Sequence, residues 1–221
     1  MENINKSKMA EILLSKNNHP LWAKKLVRIA LWIAYSGYKI KGIENIPTKG
    51  SLIIASTHLS YLDPIILSAF IPRDLFYFAK KELFRNFAFS KLITKFGAIP
   101  IDREGFTRKS FEVGNKILES QKCIVIFPEG GILEERSEIK IKPGLGMMSS
   151  LSDTPILPVA IKGSDTLLNL KTFLTDKVKL SLNFGNLIIP KKTEIFSKIQ
   201  HREKIISIVS KTLKKLDQEK I

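Results

Sequence analysis

The chain of 221 residues is poor in the side chains that build disulfides and metal sites, with one cysteine and three histidines. The single cysteine, Cys123, excludes a disulfide within the chain and fits a reducing compartment. Because Cys123 lies in the apolar run 123–127, we expect it to be a buried core residue. The three histidines are scattered and show no HExxH pattern, so the sequence predicts no metal site.

Long apolar runs are also missing. Residues 1–6 lack the apolar core of a secretory signal, and the least polar stretch, 26–38, contains a basic residue. That stretch is shorter than the roughly 20 apolar residues that span a bilayer, so we predict no spanning helix. Two tryptophans stand beside basic residues in this region: Trp22, Trp32, Lys24, Lys25 and Arg28. The pattern is typical of a helix in the membrane interface, and a surface helix docked on the core would show it too.

Acidic residues are outnumbered by basic ones, 21 against 36, which leaves a net charge of +15. A field of this sign attracts anionic lipid, nucleic acid and phosphorylated substrates. The sequence contains no helix-turn-helix, RNA-binding aromatic motif or zinc finger. We therefore expect an anionic membrane surface as a partner and no nucleic acid.

No internal repeat interrupts the chain, and its apolar content of 44% is that of a globular protein. Strands are predicted at 51–56, 75–79, 98–101, 123–127, 156–161 and 178–184, and helices at 64–70, 82–96, 107–120 and 193–216. This alternation predicts an α/β fold: a mostly parallel central sheet flanked by helices, with an N-terminal amphipathic helical extension. The polar and apolar residues that alternate along 178–184 indicate an edge strand with one wet face. We divide the chain into a membrane-associating helical segment, 1–41, and an α/β domain, 42–221.

His58 follows the first of these strands, at the carboxyl end where parallel sheets collect their chemistry. Asp63 precedes Pro64 and an apolar run, so we expect Asp63 at the N-cap of a helix and Pro64 as its first residue. The loop between His58 and Asp63 is short enough to bring both side chains together. A carboxylate bonded to one imidazole nitrogen leaves the other nitrogen free to take a proton from a hydroxyl. The alternative stays open: a plain helix cap beside an ordinary loop histidine.

Three further segments carry candidate binding residues, which are Arg103, Glu129, Gly130, Gly131 and Pro158. Arg103 ends a strand in a charged cluster and has the forked geometry that grips phosphate, or it forms a surface ion pair with a neighbour. Glu129 follows a buried strand, and the two glycines after it permit a tight turn and a close approach of a ligand to the backbone. An ordinary glycine-rich turn without a binding role would have the same sequence pattern. Pro158 interrupts a strand pattern, which indicates a bulge, an edge or a wall packed against substrate.

Four segments, taken in their order along the chain, resemble the blocks of the glycerolipid acyltransferase family, which includes the 1-acylglycerol-3-phosphate acyltransferases. The family carries a histidine, four residues and an aspartate; a Gly-x-x-x-x-Asp-Arg block; a Phe-Pro-Glu-Gly block; and a late strand with proline. The matching segments here are His58 to Asp63, 97–103, 127–130 and 157–159. The resemblance covers about residues 42–164.

The resemblance implies a reaction and a set of site residues. His58, oriented by Asp63, would deprotonate the free hydroxyl of 1-acylglycerol 3-phosphate, and the oxygen would attack an acyl thioester to make phosphatidic acid. The substrate-binding residues that it implies are Lys80, Arg103, Glu129, Gly130, Gly131 and Pro158. The partners would be a lysophospholipid acceptor and a donor, acyl-CoA or acyl carrier protein, with no metal or other cofactor. The thioester donor and the missing signal lead us to expect the cytoplasmic face of a membrane, with peripheral or monotopic attachment.

One position departs from the family pattern. The family usually continues the third block as Gly-Thr-Arg-Ser, with the arginine on phosphate, whereas this chain continues with Gly131 and Ile132. Arg136 and Lys142 follow, and neither matches the motif. Two other hypotheses therefore stay open. The chain is an acyltransferase for another acceptor, such as glycerol 3-phosphate or another lysophospholipid, or it is a non-catalytic basic module that binds anionic lipid.

Overall fold

The computed structural model describes residues 21–35, 37–101, 107–132, 140–166, 179–190 and 197–219. Its strands are β1 (Tyr38–Lys41), β2 (Leu52–Ser56), β3 (Leu75–Lys80), β4 (Ala98–Ile101), β5 (Cys123–Ile126), β6 (Ile156–Lys162) and β7 (Leu180–Phe184). Its α-helices are α1 (Leu21–Ala34), α2 (Asp63–Phe70), α3 (Phe87–Lys95), α4 (Arg108–Glu119), α5 (Gly144–Ser152) and α6 (Lys198–Gln218). Strands and helices alternate through the middle of the chain, as the sequence predicts for an α/β fold.

The strands form one seven-stranded sheet in the order β1-β7-β6-β2-β5-β3-β4. The five strands from β6 to β4 run parallel to one another, and β7 is antiparallel to β6. The carboxyl ends of β2, β3 and β5 therefore meet at one edge of the sheet, where α/β folds bind ligands. The mostly parallel sheet is confirmed.

Helices cover both faces of the sheet. On one face, which we call the α2 face, Ile66, Leu67 and Phe70 of α2 pack on the sheet together with Leu31 and Tyr35. On the other, the α6 face, the buried side chains come from α4, α5 and α6. Because both faces are covered, the central strands need continuous apolar runs, and all five residues of β2 are buried.

Two predicted elements differ from the observed ones. The helix predicted at 82–96 is a short 3-10 helix, Lys81–Phe84, followed by the separate helix α3. The strand predicted at the sheet edge, 178–184, lies inside the sheet between β1 and β6 as far as it is described, and all of β7 is buried. Its polar residues find partners inside the protein, because the Asn183 side chain donates to Glu219 over 3.2 Å. The prediction of an edge strand from the alternating polarity of 178–184 is therefore wrong.

The edge strand beside β7 is β1, which the sequence analysis did not predict and which forms the end of segment 1–41. It pairs in parallel with β7, from Tyr38 opposite Leu180 to Lys41 opposite Asn183. Gly42 follows with a φ of 74°, and a Cβ there would overlap the carbonyl oxygen of Phe184. Only glycine fits this close approach without displacing the backbone.

Helix α1 is tied to the domain by basic side chains that point inward. The Lys24 ammonium donates to the carbonyl oxygens of Ile71, at 2.9 Å, and Arg73, at 3.0 Å. The Arg28 guanidinium donates to Ala69 at 2.6 Å. These carbonyls lie at the carboxyl end of α2 and just beyond it, where a helix leaves acceptors without partners and favours cations. No helix among the described residues is long and apolar enough to cross a bilayer.

Candidate active site

His58 and Asp63 meet in the loop between β2 and α2. The Nδ1 atom of His58 lies 2.9 Å from Oδ2 of Asp63. The Asp63 side chain is fully buried, and 15% of the His58 side chain is exposed. A carboxylate has no proton to give, so Nδ1 of His58 donates, and Nε2 is left as the basic nitrogen. The contact expected from the short loop is therefore present.

The same carboxylate organises the loop that carries the histidine. Oδ2 of Asp63 also accepts from the amides of Leu59, at 2.7 Å, and Ser60, at 2.8 Å. The predicted N-cap is wrong by one residue: Leu62 is the N-cap and Asp63 is the first helical residue. The carboxylate turns back toward the loop instead of capping the helix, because His58 and the two amides supply its donors.

The ring of Phe127 packs against one face of the His58 imidazole. The two rings stack with centroids 4.0 Å apart and planes inclined by 20°. Phe127 is the first residue after β5, so the neighbouring strand sets its position. The sequence analysis quoted this residue within the third block but gave it no role, since nothing in a linear pattern states which ring another ring covers.

Glu129 lies two residues beyond Phe127 and is half-buried, with both carboxylate oxygens shielded from solvent. Neither oxygen has a hydrogen bond from another described residue. Burial raises the pKa of Glu129 to about 7, its own backbone amide opposes this, and the negative charge of Asp63 adds to the rise. The carboxyl group thus changes its charge near neutrality, beside the His58–Asp63 pair, which is the behaviour typical of functional sites.

Gly130 continues this turn in a left-handed conformation, with a φ of 76°. Its amide donates to the carbonyl of Phe127 over 3.0 Å. The Lys142 side chain lies over Gly130, where a Cβ would overlap it. The Lys142 amide donates to Pro128 over 2.8 Å, which ties the two segments together. Among the described residues, no acidic side chain forms an ion pair with the Lys142 ammonium.

The remaining predicted substrate-binding residues differ in their burial and in their distance along the sheet from His58. Lys80 is exposed at the end of β3, on the edge of the sheet that carries His58, and Gly131 is exposed with open space beside it. Pro158 is buried in the internal strand β6, with its ring against Gly185 on the α6 face, so it is neither a bulge nor an edge. Its contact with substrate stays a prediction, and Arg103 lies outside the described residues. The described residues contain no cluster of three histidine, cysteine, aspartate or glutamate side chains suited to a metal.

Pro158 is accommodated because its nitrogen faces the end of the β6–β7 ladder. The carbonyl of Pro158 accepts from the Gly185 amide over 2.8 Å. The amide hydrogen that proline lacks would point toward the same strand, where regular pairing stops at Val159 and Phe184. An internal strand therefore tolerates the proline with the loss of one hydrogen bond.

Comparison with known proteins gives one family. The family model described as Acyltransferase matches residues 37–162, more than half of the chain. The chain is 31% identical over 145 residues to a Bacillus subtilis protein, across 65% of this chain and 71% of the relative. It is 26% identical over 198 residues to one from Borreliella burgdorferi, across 88% of this chain and 78% of the relative. Both relatives are named 1-acyl-sn-glycerol-3-phosphate acyltransferase.

A solved structure shares the fold. The 1-acyl-sn-glycerophosphate acyltransferase PlsC of Thermotoga maritima superposes with a TM-score of 0.70. The match covers all of this chain and 86% of that chain, at 19% sequence identity. The likeness therefore extends beyond the block of motifs to the α/β fold.

Proposed function

The chain belongs to the acyltransferase family, and from this premise we propose that it moves a fatty acyl group from a thioester to the free hydroxyl of 1-acylglycerol 3-phosphate. The product would be phosphatidic acid, a precursor in phospholipid synthesis. The observation that carries the proposal is the contact of 2.9 Å between His58 and a fully buried Asp63. It provides a general base that needs no serine of its own, because the acceptor brings the hydroxyl.

The proposed reaction uses few protein groups. Nε2 of His58 removes the proton of the acceptor hydroxyl as its oxygen bonds to the thioester carbonyl carbon. Asp63 stabilises the imidazolium that forms. The carbonyl bond then re-forms, the carbon–sulfur bond breaks, and His58 returns the proton to the departing sulfur. Every bonding change is supplied by the two substrates and one imidazole, so the step needs no metal or other cofactor.

We assign the acceptor phosphate to cations at the same edge of the sheet. Lys80 ends β3, and Lys142 extends over Gly130 in the third block, with no acidic partner among the described residues. Lys142 therefore offers a charge near the place where the family pattern has arginine and this chain has Ile132. An ammonium binds phosphate as a point charge, whereas arginine binds it as a fork. Arg103 is the third candidate from the sequence.

The missing arginine supports a second candidate function with the same chemistry. An acceptor such as glycerol 3-phosphate or another lysophospholipid would use the same His58 but a different head-group contact. The +15 net charge suits any anionic lipid acceptor and does not separate these cases. A panel of acceptors at equal surface concentration distinguishes them.

We propose that α1 attaches the protein to the cytoplasmic face of a membrane, as a peripheral or monotopic protein. Its exposed side is apolar, with Trp22, Leu26, Ile29, Trp32 and Ile33. Two of the basic residues that the sequence assigned to this surface, Lys24 and Arg28, instead bond the helix to α2. Lys25 stays exposed, so the attachment rests mainly on apolar burial in the interface.

The test is acyl transfer from acyl-CoA and from acyl carrier protein to 1-acylglycerol 3-phosphate, with wild type and His58→Ala in parallel. Loss of the general base should lower the rate by about 10²–10⁴-fold or more. Transfer by both proteins at the same rate would refute the role of His58. Transfer by wild type to another acceptor alone would favour the second candidate.

A further inference from the structure

A second surface of the protein combines exposed aromatic rings with positive charge. In α3, Phe87 is 74% exposed and Phe89 is 40% exposed. Lys81 and Arg85, just before the helix, are exposed, and the ammonium of Lys91 lies 4.5 Å from the centre of the Phe87 ring. Burying a phenylalanine side chain is favourable by about 1.5–3 kcal/mol, so two exposed rings in the first turn of one short helix indicate a contact surface.

This surface begins at the edge of the sheet that carries the active site. Strand β3 ends at Lys80, the 3-10 helix follows at once, and α3 starts at Phe87. The chain then returns to the opposite edge, because the register of β4 begins at Ala98 opposite Tyr77. Phe87 therefore stands at the end of α3 that is nearer to the carboxyl ends of the strands, where His58 follows β2.

The surface also lies on the same face of the sheet as α1. Both β2-α2-β3 and β3-α3-β4 step toward β4 along the sheet. Parallel crossovers are right-handed in about 98% of cases, so α2 and α3 cover the same face. Helix α1 packs on α2, and Leu31 of α1 and Tyr35 just after it belong to the cluster on that face. The exposed apolar residues of α1 and of α3 therefore lie on the same side of the sheet.

We propose that α3, through Phe87 and Phe89 with Lys81, Arg85 and Lys91, is a second membrane-docking surface that contacts the same anionic bilayer as α1. Aromatic rings with long basic side chains beside them bind well at the boundary between acyl chains and anionic head groups, because the rings enter the apolar layer and the cations meet the head groups. One helix fixes only one line of contact with a bilayer. A second contact, near the edge of the sheet that carries His58, fixes the rotation about α1 and brings that edge to the lipid surface. The proposal concerns binding and does not depend on acyl transfer.

The position of one side chain in the bilayer can be read directly. The only cysteine of the chain, Cys123, is buried, and burial raises its pKa to about 11, so it reacts poorly with thiol reagents. Phe87→Cys therefore provides a single site for an environment-sensitive dye on the full chain. The matched control is Ile199→Cys at the start of α6, because Ile199 is 66% exposed on the opposite face.

The probe is vesicles of equal parts phosphatidylcholine and phosphatidylglycerol. We expect the dye at position 87 to shift to the blue on binding and the dye at position 199 to stay in water. A protein that sediments with the vesicles while the dye at position 87 stays in water would overturn the proposal. A blue shift produced by acyl carrier protein, but not by vesicles, would overturn it as well and would assign the surface to a protein partner.

A second measurement uses the unlabelled chain. Phe87→Ser with Phe89→Ser should weaken partition onto these vesicles by roughly tenfold or more, since each ring contributes interfacial burial. Ile199→Ser with Ile208→Ser is the control, because these side chains are 66% and 40% exposed. These exposed fractions are similar to those of the two phenylalanines. Equal partition of both double variants would overturn the proposal. Quenching of Trp22 and Trp32 by brominated lipid reports α1 separately, so a failure of α1 docking is distinguishable from a failure of α3 docking.

Discussion

His58 and Asp63 are joined by one hydrogen bond of 2.9 Å, and the Asp63 oxygen that accepts it also accepts two backbone amides. Three donors converge on a single carboxylate oxygen. The two amides belong to Leu59 and Ser60, so the loop that carries the histidine is closed on the group that orients its ring. The pair is therefore held in place by groups of the loop itself.

Asp63→Asn separates the charge of the carboxylate from its place in the loop. One oxygen, Oδ2, accepts His58 and both amides, so an asparagine oxygen in its place can keep all three bonds and leaves the NH2 group at the position of Oδ1. The variant then lacks the negative charge that stabilises the imidazolium. We expect the rate of transfer to fall by about 10²–10⁴-fold, as with removal of the base, and the melting temperature to change little. Initial rates and thermal unfolding measure the two effects. A large loss of stability with a proportionate loss of active protein would contradict this role of the charge.

Glu129→Gln should change the pH dependence of stability. Burial raises the pKa of Glu129 in the folded protein to about 7, above its ordinary value of 4.5 in the unfolded chain. The folded state then holds more protons between these values, so its stability decreases as the pH rises from about 4.5 to 7 and stays lower above that range. The cost at high pH is on the order of 2–3 kcal/mol. We expect Glu129→Gln to raise the free energy of unfolding at pH 8 relative to wild type.

Urea unfolding at a low and a high pH provides the control for Glu129. The stabilisation by Glu129→Gln should shrink toward zero as the pH falls below 4.5, because the Glu129 carboxyl of wild type is then protonated in both the folded and the unfolded state. A difference that is the same at both pH values would mean that the substitution acts through packing and not through charge.

Lys142→Met tests the assignment of the acceptor phosphate. A hydrogen bond to a charged group contributes about 1.5–3 kcal/mol, so KM for 1-acylglycerol 3-phosphate should rise roughly tenfold or more. Transfer to an uncharged acceptor, a monoacylglycerol, should change far less. Lys211→Met, an exposed lysine of α6, is the matched control for the loss of one positive charge. If both substitutions raise KM equally, the effect comes from net charge and not from a phosphate contact.

Lys24→Met and Lys25→Met test how α1 is held. Lys24 is buried and donates to two carbonyls, whereas its neighbour Lys25 is exposed. Methionine at position 24 leaves those acceptors without a partner, so we expect the free energy of unfolding to fall by about 1–3 kcal/mol. The same change at position 25 should stay within about 0.5 kcal/mol. Proteolysis within α1 should become faster in the first variant only, and equal rates would exclude the proposed anchoring.

The elements that the sequence predicted well are those with a local cause. Strand β2 and helix α2 were found from an apolar run, a turn and Pro64, and α4 from its periodicity. The N-cap of α4 is Thr107, whose side chain accepts from the Ser110 amide. The site followed because the carboxyl ends of parallel strands share one edge. Strand β1 was missed, since four residues of mixed polarity have no local signal, and they become a strand only because β7 offers an open edge.

The sequence by itself determined the reacting pair, since a loop of four residues confines His58 and Asp63 to the same small volume whatever the rest of the chain does. Three relationships were decided only by tertiary structure: the ring of Phe127 under His58, the side chain of Lys142 over Gly130, and the inward direction of Lys24 and Arg28. Each joins residues on separate elements. Their distances depend on how strands and helices pack, and a linear pattern contains periodicity and spacing but no packing.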